Sequence, residues 1–294
     1  MEQLLSAFPP RLKAALGEIT QQEWTQLEEI RLHTGQNILL CFSDRTRELT
    51  GTEIRPGEGG QMLELACRAS VHTVLPQLRQ GYLTLRGGHR LGICGSVHLR
   101  DGDIRSIEPI SSLNLRLARQ VRGAAQPLIG RLCPKGAFRS TLILAPPGAG
   151  KTTLLRDLLR CLSDGVGCCS HRVSLADERG EVAAVWQGAA QLDVGRRTDI
   201  LEGCPKAQAL MLLLRGMNPE VLAADEITAP EDVRAMSAAC GCGVRLLGTA
   251  HGKNREDLCR RKLYRDMMDE GVFESLVTIS VDGGVRRYKV EELK

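Results

Sequence analysis

Aromatic residues make up only 3% of this 294-residue chain, which argues against the stacking platforms that bind single-stranded nucleic acid. A basic tail is missing too. The formal net charge is +4, with basic and acidic residues interleaved in both halves, whereas nucleic-acid proteins usually cluster their basic residues. No apolar run approaches the roughly 20 residues needed to span a bilayer. The opening Met1-Glu-Gln-Leu-Leu-Ser6 lacks the basic n-region of a secretory leader. Together these absences point to a cytoplasmic chain. Paired C-x₂-C motifs are also absent. The eleven Cys are scattered singly, apart from Cys168-Cys169 and Cys240-Gly-Cys242, so neither a structural zinc set nor another metal cluster is expected. An odd count in such a chain suits reduced thiols used as small apolar residues. Internal repeats and low-complexity segments do not occur.

What the chain does have is Ala145-Pro-Pro-Gly-Ala-Gly-Lys-Thr-Thr153, with the form of a phosphate-binding loop (Walker A). The preceding Ser140-Thr-Leu-Ile-Leu-Ala145 reads as a short buried strand. After it, Leu154, Leu155, Leu158, Leu159 and Leu162 fall at helical spacing. Strand, glycine-bearing loop and helix form the context that gives the motif its mechanism. Backbone N–H groups and the positive helix end, about half a charge, converge on a phosphate. Pro146, Pro147, Gly148, Ala149, Gly150, Lys151, Thr152 and Thr153 are therefore the expected nucleotide-binding residues. Lys151 reaches the β- and γ-phosphates of ATP, and the Thr152 hydroxyl ligates Mg²⁺. The first glycine of the pattern is replaced by Ala145. That residue ends the strand, where a methyl group fits, while the two glycines that must bend are present.

The length suggests two domains. Residues 1–122 read as a smaller α+β domain, with helices over 2–16, 21–29 and 58–71. Strands are expected at 28–33, 37–42, 82–85, 90–99 and 112–117, with a hairpin turn at 100–103. Residues 123–127 form a small-residue link. Residues 123–294 then alternate strand and helix, as an α/β domain with a parallel sheet requires. Strands are expected at 173–176, 220–226 and 243–251, helices at 206–217 and 229–239, and a closing hairpin at 275–281 and 285–290.

Open α/β sheets bind ligands beyond the carboxyl ends of their strands. Four strands here end in polar chemistry: the phosphate loop, Asp177/Glu178, Asp225/Glu226 and Thr249/His251. Asp225 suits Mg²⁺, directly or through a water, and Glu226 suits the orientation of an attacking water. Glu178 competes with Glu226 for that role. His251 is placed to sense the γ-phosphate or to bond one of the carboxylates.

The order of phosphate loop, acidic box, Asp-Glu strand and Thr-x-His strand resembles the secretion ATPases of type II and type IV systems. Arg215-Gly-Met-Asn-Pro-Glu-Val-Leu-Ala-Ala-Asp-Glu-Ile227 is similar to their Arg-x-x-Pro-Asp…Glu-Ile segment. More narrowly, Glu28-Glu-Ile-Arg-Leu, Gly88-His-Arg-Leu-Gly-Ile-Cys-Gly and Arg197-Thr-Asp-Ile-Leu-Glu-Gly-Cys-Pro-Lys206 resemble the stage III sporulation protein AA family. The resemblance implies a RecA-like P-loop ATPase fold in the C-terminal domain, a homo-hexamer, and a cytoplasmic location peripheral to a membrane. There the ring would dock on membrane-embedded channel proteins of a sporulation secretion apparatus. Two departures stand out: Thr228 replaces the Arg that commonly follows Glu-Ile, and the four-Cys zinc box of some members has no counterpart. An arginine finger is sought among Arg90, Arg31, Arg197 and Arg215, with Arg90 preferred because it follows the flexible Gly87-Gly88-His89. Beside the motor stand two other readings, a nucleic-acid-associated P-loop NTPase and a nucleotide-gated scaffold with negligible hydrolysis. Intact Thr152, Asp225 and Glu226 argue against the scaffold.

Overall fold

The computed structural model describes residues 2–67, 78, 81–100, 102–283 and 285–293. Two compact units emerge. One comprises Met1–Arg119 together with Ala184–Gln191, and the other Gln120–Ala183 with Leu192–Lys294.

The first unit is built on a six-stranded sheet in the order β3-β2-β1-β6-β5-β4, antiparallel throughout. Its strands are β1 (Leu27–His33), β2 (Ile38–Phe42), β3 (Thr46–Leu49), β4 (Tyr82–Thr84), β5 (Arg90–Arg100) and β6 (Asp103–Arg116). A register shift between Leu27 and Glu29 explains the burial of β1. Strict alternation would put Leu27 and Ile30 on opposite faces. The bulge shifts the phase, and Leu27, Ile30 and Leu32 all reach the core. The helix Gln21–Gln26 starts at a capping box, in which Thr20 Oγ1 accepts from Glu23 N and Glu23 Oε2 accepts from Thr20 N. It stops at Gln26 rather than 29, because the following residues pair on one side with β2 and on the other with β6. The stretch 2–16 is likewise two helices, Glu2–Leu5 and Pro10–Leu16, separated at the first of two prolines. The helix expected over 58–71 is described from Glu58 to Ala66. Its expected remainder past Cys67 lies outside the described residues, as do Asp101 and Gly284 of the two expected turns. The segment Ala184–Gln191 forms a small ribbon of β9 (Val185–Trp186) and β10 (Ala189–Ala190). Trp186 lies under the Arg86 guanidinium, and Gln191 Oε1 accepts from Gly87 N at 2.9 Å.

The second unit carries a seven-stranded sheet, order β11-β8-β12-β13-β7-β14-β15. Its strands are β7 (Thr141–Ala145), β8 (Val173–Asp177), β11 (Thr198–Glu202), β12 (Val221–Ala224), β13 (Arg245–His251), β14 (Ser275–Asp282) and β15 (Val285–Glu292). Six run parallel and β15 returns antiparallel at the edge. Every residue of β7, β8 and β12 is buried, the signature of parallel strands covered on both faces. Helices Lys206–Met217, Pro230–Gly241 and Lys262–Asp269 share one apolar cluster with the sheet. The helix Lys151–Asp164 buries Leu154, Leu155, Leu158, Leu159 and Leu162. Because β13 lies between β12 and β7, the carboxyl ends of β8, β12, β13 and β7 come side by side in that order. β14 joins β7 in parallel, so the closing hairpin extends the main sheet.

Candidate functional site

The loop Pro146–Gly150 leaves β7 and enters the helix Lys151–Asp164. Ala145 is fully buried at the end of β7 and its backbone shows no positive φ, so no glycine is needed there. Gly148 and Gly150 do need to be glycine, with φ of 73° and 101°. A side-chain carbon built on Gly148 would meet nothing within 4 Å, so at Gly148 it is the backbone conformation and not crowding that calls for glycine. Helix entry leaves the first N–H groups without intrahelical partners. Thus the loop fits a phosphate. Lys151, 5% exposed, donates from Nζ to Pro146 O at 3.3 Å and to His251 Nδ1 at 3.0 Å. Burial pushes its ammonium below the ordinary pKa, against the opposing charges of Asp225 and Glu226.

From Thr152 a chain of hydrogen bonds crosses the strand ends. Thr152 Oγ1 donates to Asp225 Oδ2 at 2.9 Å. The other oxygen, Asp225 Oδ1, accepts from Thr249 Oγ1 and from Glu226 N. A hydroxyl and a carboxylate side by side suit Mg²⁺, which takes few protein ligands and completes its shell with substrate phosphates and water. Glu226 turns the chain after β12 with φ of 50°, a left-handed conformation that is strained for a non-glycine residue. Both its carboxylate oxygens are engaged: Oε1 with His251 Nε2 at 3.0 Å, and Oε2 with Arg179 Nη1 at 2.9 Å. An ammonium can only donate, so His251 Nδ1 accepts from Lys151 and Nε2 carries the proton given to Glu226. Lys151, His251 and Glu226 thereby form one relay.

The acidic turn divides its labour. Asp177 is 2% exposed and accepts from the backbone N–H groups of Glu181, Val182 and Ala183. Burial raises its pKa, and those N–H bonds oppose the rise. It shapes the turn. Arg156, on the helix after the phosphate loop, pins the same turn by donating to Val182 O and Glu181 O at 2.6 and 2.8 Å. Glu178, with its side chain 43% exposed, pairs with Lys206 Nζ at 3.3 Å.

Lys206 itself is buried. Its Nζ also donates to Glu226 O at 2.7 Å and lies 3.8 Å from Asp232 Oδ2, tying the two competing glutamates to one ammonium. A cation in the first turn of a helix opposes the macrodipole, and that misplacement was the available signal for it. Arg179 follows Glu178 directly and could be suspected on that ground. Arg286, which donates from Nε to Ala149 O at 3.1 Å, had no local signal.

The arginine candidates are split between the two units. In the first unit, the Arg90 guanidinium stacks 3.7 Å from the Tyr82 ring and Arg31 pairs with Glu29 at 2.9 Å. In the second, Arg197 bonds Ser170 Oγ and Arg215 sits in the last turn of its helix. Among the described residues, no hydrogen bond or ion pair joins Arg197 or Arg215 to the phosphate loop. No group of three or more His, Cys, Asp or Glu side chains that could hold a metal occurs among them either. Each of the eleven Cys is a free thiol.

A family profile described as "Sporulation stage III, protein AA" matches residues 1–290. The chain belongs to that family. Stage III sporulation protein AA of Bacillus subtilis (strain 168) is 36% identical over 95% of this chain and 91% of its own length. The uncharacterized protein ycf45 of Porphyra purpurea is 31% identical, over 68% of this chain and 34% of its own. Among solved structures, the Yersinia pseudotuberculosis ATPase DotB superposes with a TM-score of 0.65 at 13% identity, covering 98% of this chain and 81% of that one. The pilus retraction motor PilT with bound ADP gives 0.63 at 16% identity, covering 91% and 80%. At such identities the likeness concerns the fold, which is that of the RecA-like secretion ATPases with an N-terminal domain. No helix among the described residues is long and apolar enough to cross a membrane.

Proposed function

We propose that this family member hydrolyses ATP to ADP and phosphate with Mg²⁺, as the ring-forming motor of a secretion-like channel used in sporulation. The observation that carries the reading is the network behind the phosphate loop. Thr152–Asp225–Thr249 and Lys151–His251–Glu226 join three strand ends into one polar assembly. Structural domains seldom converge an ammonium, two carboxylates and an imidazole on an open glycine loop, whereas phosphoryl transfer uses an ammonium on the phosphates, a carboxylate near Mg²⁺ and a group that orients the nucleophile.

In this reading Thr152 and Asp225 hold the Mg²⁺, which neutralises charge on the phosphate oxygens when bound. Lys151 exchanges Pro146 O and His251 for the β- and γ-phosphates. His251, no longer tied to Lys151, loosens its hold on Glu226 Oε1. That oxygen then orients a water for attack on the γ-phosphorus. The water oxygen bonds to phosphorus, the bridging P–O bond breaks with its electron pair leaving on ADP, and a water proton passes towards Glu226. Arg90, or failing that Arg31, is the arginine expected to reach the nucleotide from a neighbouring chain of a homo-hexamer. Docking on membrane-embedded channel proteins from the cytoplasmic side completes the proposal.

Lys151→Ala tests the reading. Turnover should collapse while the circular-dichroism spectrum and melting midpoint stay close to the parent's. Parent-rate hydrolysis by this variant would remove the phosphate loop from the active site. Strong stimulation of the parent by single-stranded nucleic acid would favour a nucleic-acid motor instead.

A further inference from the structure

One cation of the second unit has no place in the network above. Arg286 stands on the edge strand β15, opposite Val281 of β14. Its Nε donates to Ala149 O at 3.1 Å, inside the phosphate loop. A side-chain carbon built on Gly150 would lie 2.9 Å from that Nε, 3.5 Å from Cδ and 3.7 Å from Cζ. The guanidinium therefore lies across Gly150, the residue that opens the helix Lys151–Asp164. Its neighbours on the hairpin have acidic partners: Arg287 pairs with Asp282 and Lys289 with Glu291. No carboxylate pairs with Arg286 among the described residues. Two cations, Lys151 and Arg286, thus meet at the positive end of one helix. Asp225 and Glu226 oppose the charge of Lys151, but no carboxylate among the described residues offsets Arg286, and a cation at this helix end is opposed by the macrodipole. A polyphosphate attracts both cations and the helix end, which outweighs their mutual repulsion, and guanidinium forks bind phosphate oxygens in pairs.

We infer that Arg286 is a nucleotide-binding residue, supplied by the same chain, whose guanidinium meets the polyphosphate of ATP or ADP. The inference rests on the phosphate loop being a nucleotide site. Its Nε anchors the side chain to Ala149 O, and the terminal nitrogens are left to the ligand. Such a residue supplies from the closing hairpin part of the positive charge that the loop sequence and Thr228 do not provide.

Equilibrium titration with fluorescently labelled ATP and ADP, in the presence of Mg²⁺, tests this on the full chain. Arg286→Gln should weaken both nucleotides about tenfold, the usual scale for a lost charge-assisted hydrogen bond. Arg286→Lys keeps the charge but loses the Nε anchor, and should recover part of that affinity at low salt. The recovery should fade as salt is raised. A structural brace predicts otherwise: Lys and Gln would be equally poor, at every salt concentration. That result would overturn the inference, as would parent-like affinity in Arg286→Gln. If the parent binds neither nucleotide, the reading of the loop fails first and takes this inference with it. If the parent binds and the Gln variant binds equally, only Arg286 loses its role.

Discussion

Replacing Lys206 with Met removes the ammonium that holds Glu226 O, Glu178 and Asp232 together while nearly preserving the volume of the stem. Breaking a buried ion pair from one side costs roughly 3–5 kcal/mol. Here the charge left behind is partly compensated. Asp232 Oδ2 keeps two backbone donors, Thr228 N at 3.2 Å and Ala229 N at 3.1 Å, and Glu178 is exposed enough to rehydrate. Taking a cation away from a helix N-terminus also returns about 0.3–1 kcal/mol. The carbonyl of Glu226 still loses its donor, so a net loss of about 2–3 kcal/mol remains. For a domain of this size that lowers the melting midpoint by about 5–10 °C. The second consequence is catalytic. Glu226 sits at φ of 50°, and such conformations cost about 1–3 kcal/mol unless their surroundings enforce them. With its carbonyl released, the backbone at Glu226 relaxes and shifts the carboxylate against its contacts with His251 and Arg179, and a misplacement of about 1 Å can cost on the order of 100-fold in rate. Steady-state ATPase kinetics with scanning calorimetry should therefore show a lower midpoint and a depressed kcat. KM should be little changed, because Lys206 bonds nothing in the phosphate loop. Parent-like melting together with parent-like kcat in Lys206→Met would refute the clamp. A lowered midpoint with unchanged kcat would reduce Lys206 to a purely structural residue.

The two glutamates can be ranked directly. Glu226→Gln should lower kcat about 100-fold with nucleotide binding kept, whereas Glu178→Gln should cost less. The opposite order, read from kcat in the same assay, would move the water-orienting role to the acidic turn. Acid should destabilise the first unit through His89, whose Nδ1 accepts from Ala118 N at 3.1 Å and whose pKa burial lowers to about 4. The unfolded ring titrates near 6.5, so between those values the unfolded state binds more protons and stability falls as pH falls. The full effect is no more than about 3 kcal/mol. His89→Gln should flatten the pH dependence of denaturant midpoints over that window. An unchanged slope would show that His89 is not its source.

Much of the second unit can be read from local pattern, because its strands are apolar runs that end abruptly in polar residues. β7, β12 and β13 each pass from buried aliphatics to Gly-Lys-Thr, Asp-Glu or Thr-Ala-His, and both glycines that bend are marked by the motif. Edge elements escape this reading. β11 is a half-buried Thr-Asp-Ile-Leu-Glu strand whose pattern is neither continuous nor cleanly alternating, and β3 is four largely polar residues. Contacts between distant segments leave no local trace. The Arg286 contact with Ala149 spans the hairpin and the loop, and Lys206 gains its meaning from Glu226, twenty residues on. The start of β1 reads as helix in the sequence because Leu27 to Glu29 fits either period until its pairing partners on both sides are known.

The chain leaves the first unit at Arg119, re-enters it for Ala184–Gln191, and leaves again. A single genetic crossover near residue 119 would therefore not transplant a whole unit between relatives. It would carry Arg86 and Gly87 into the new background and leave behind Trp186 and Gln191, the residues that stack on one and cap the other. Successful chimaeras need three junctions, or matched residues at both places. Exchange at one breakpoint is thus penalised, and residue 86 is expected to co-vary with residue 186, whose side chains touch.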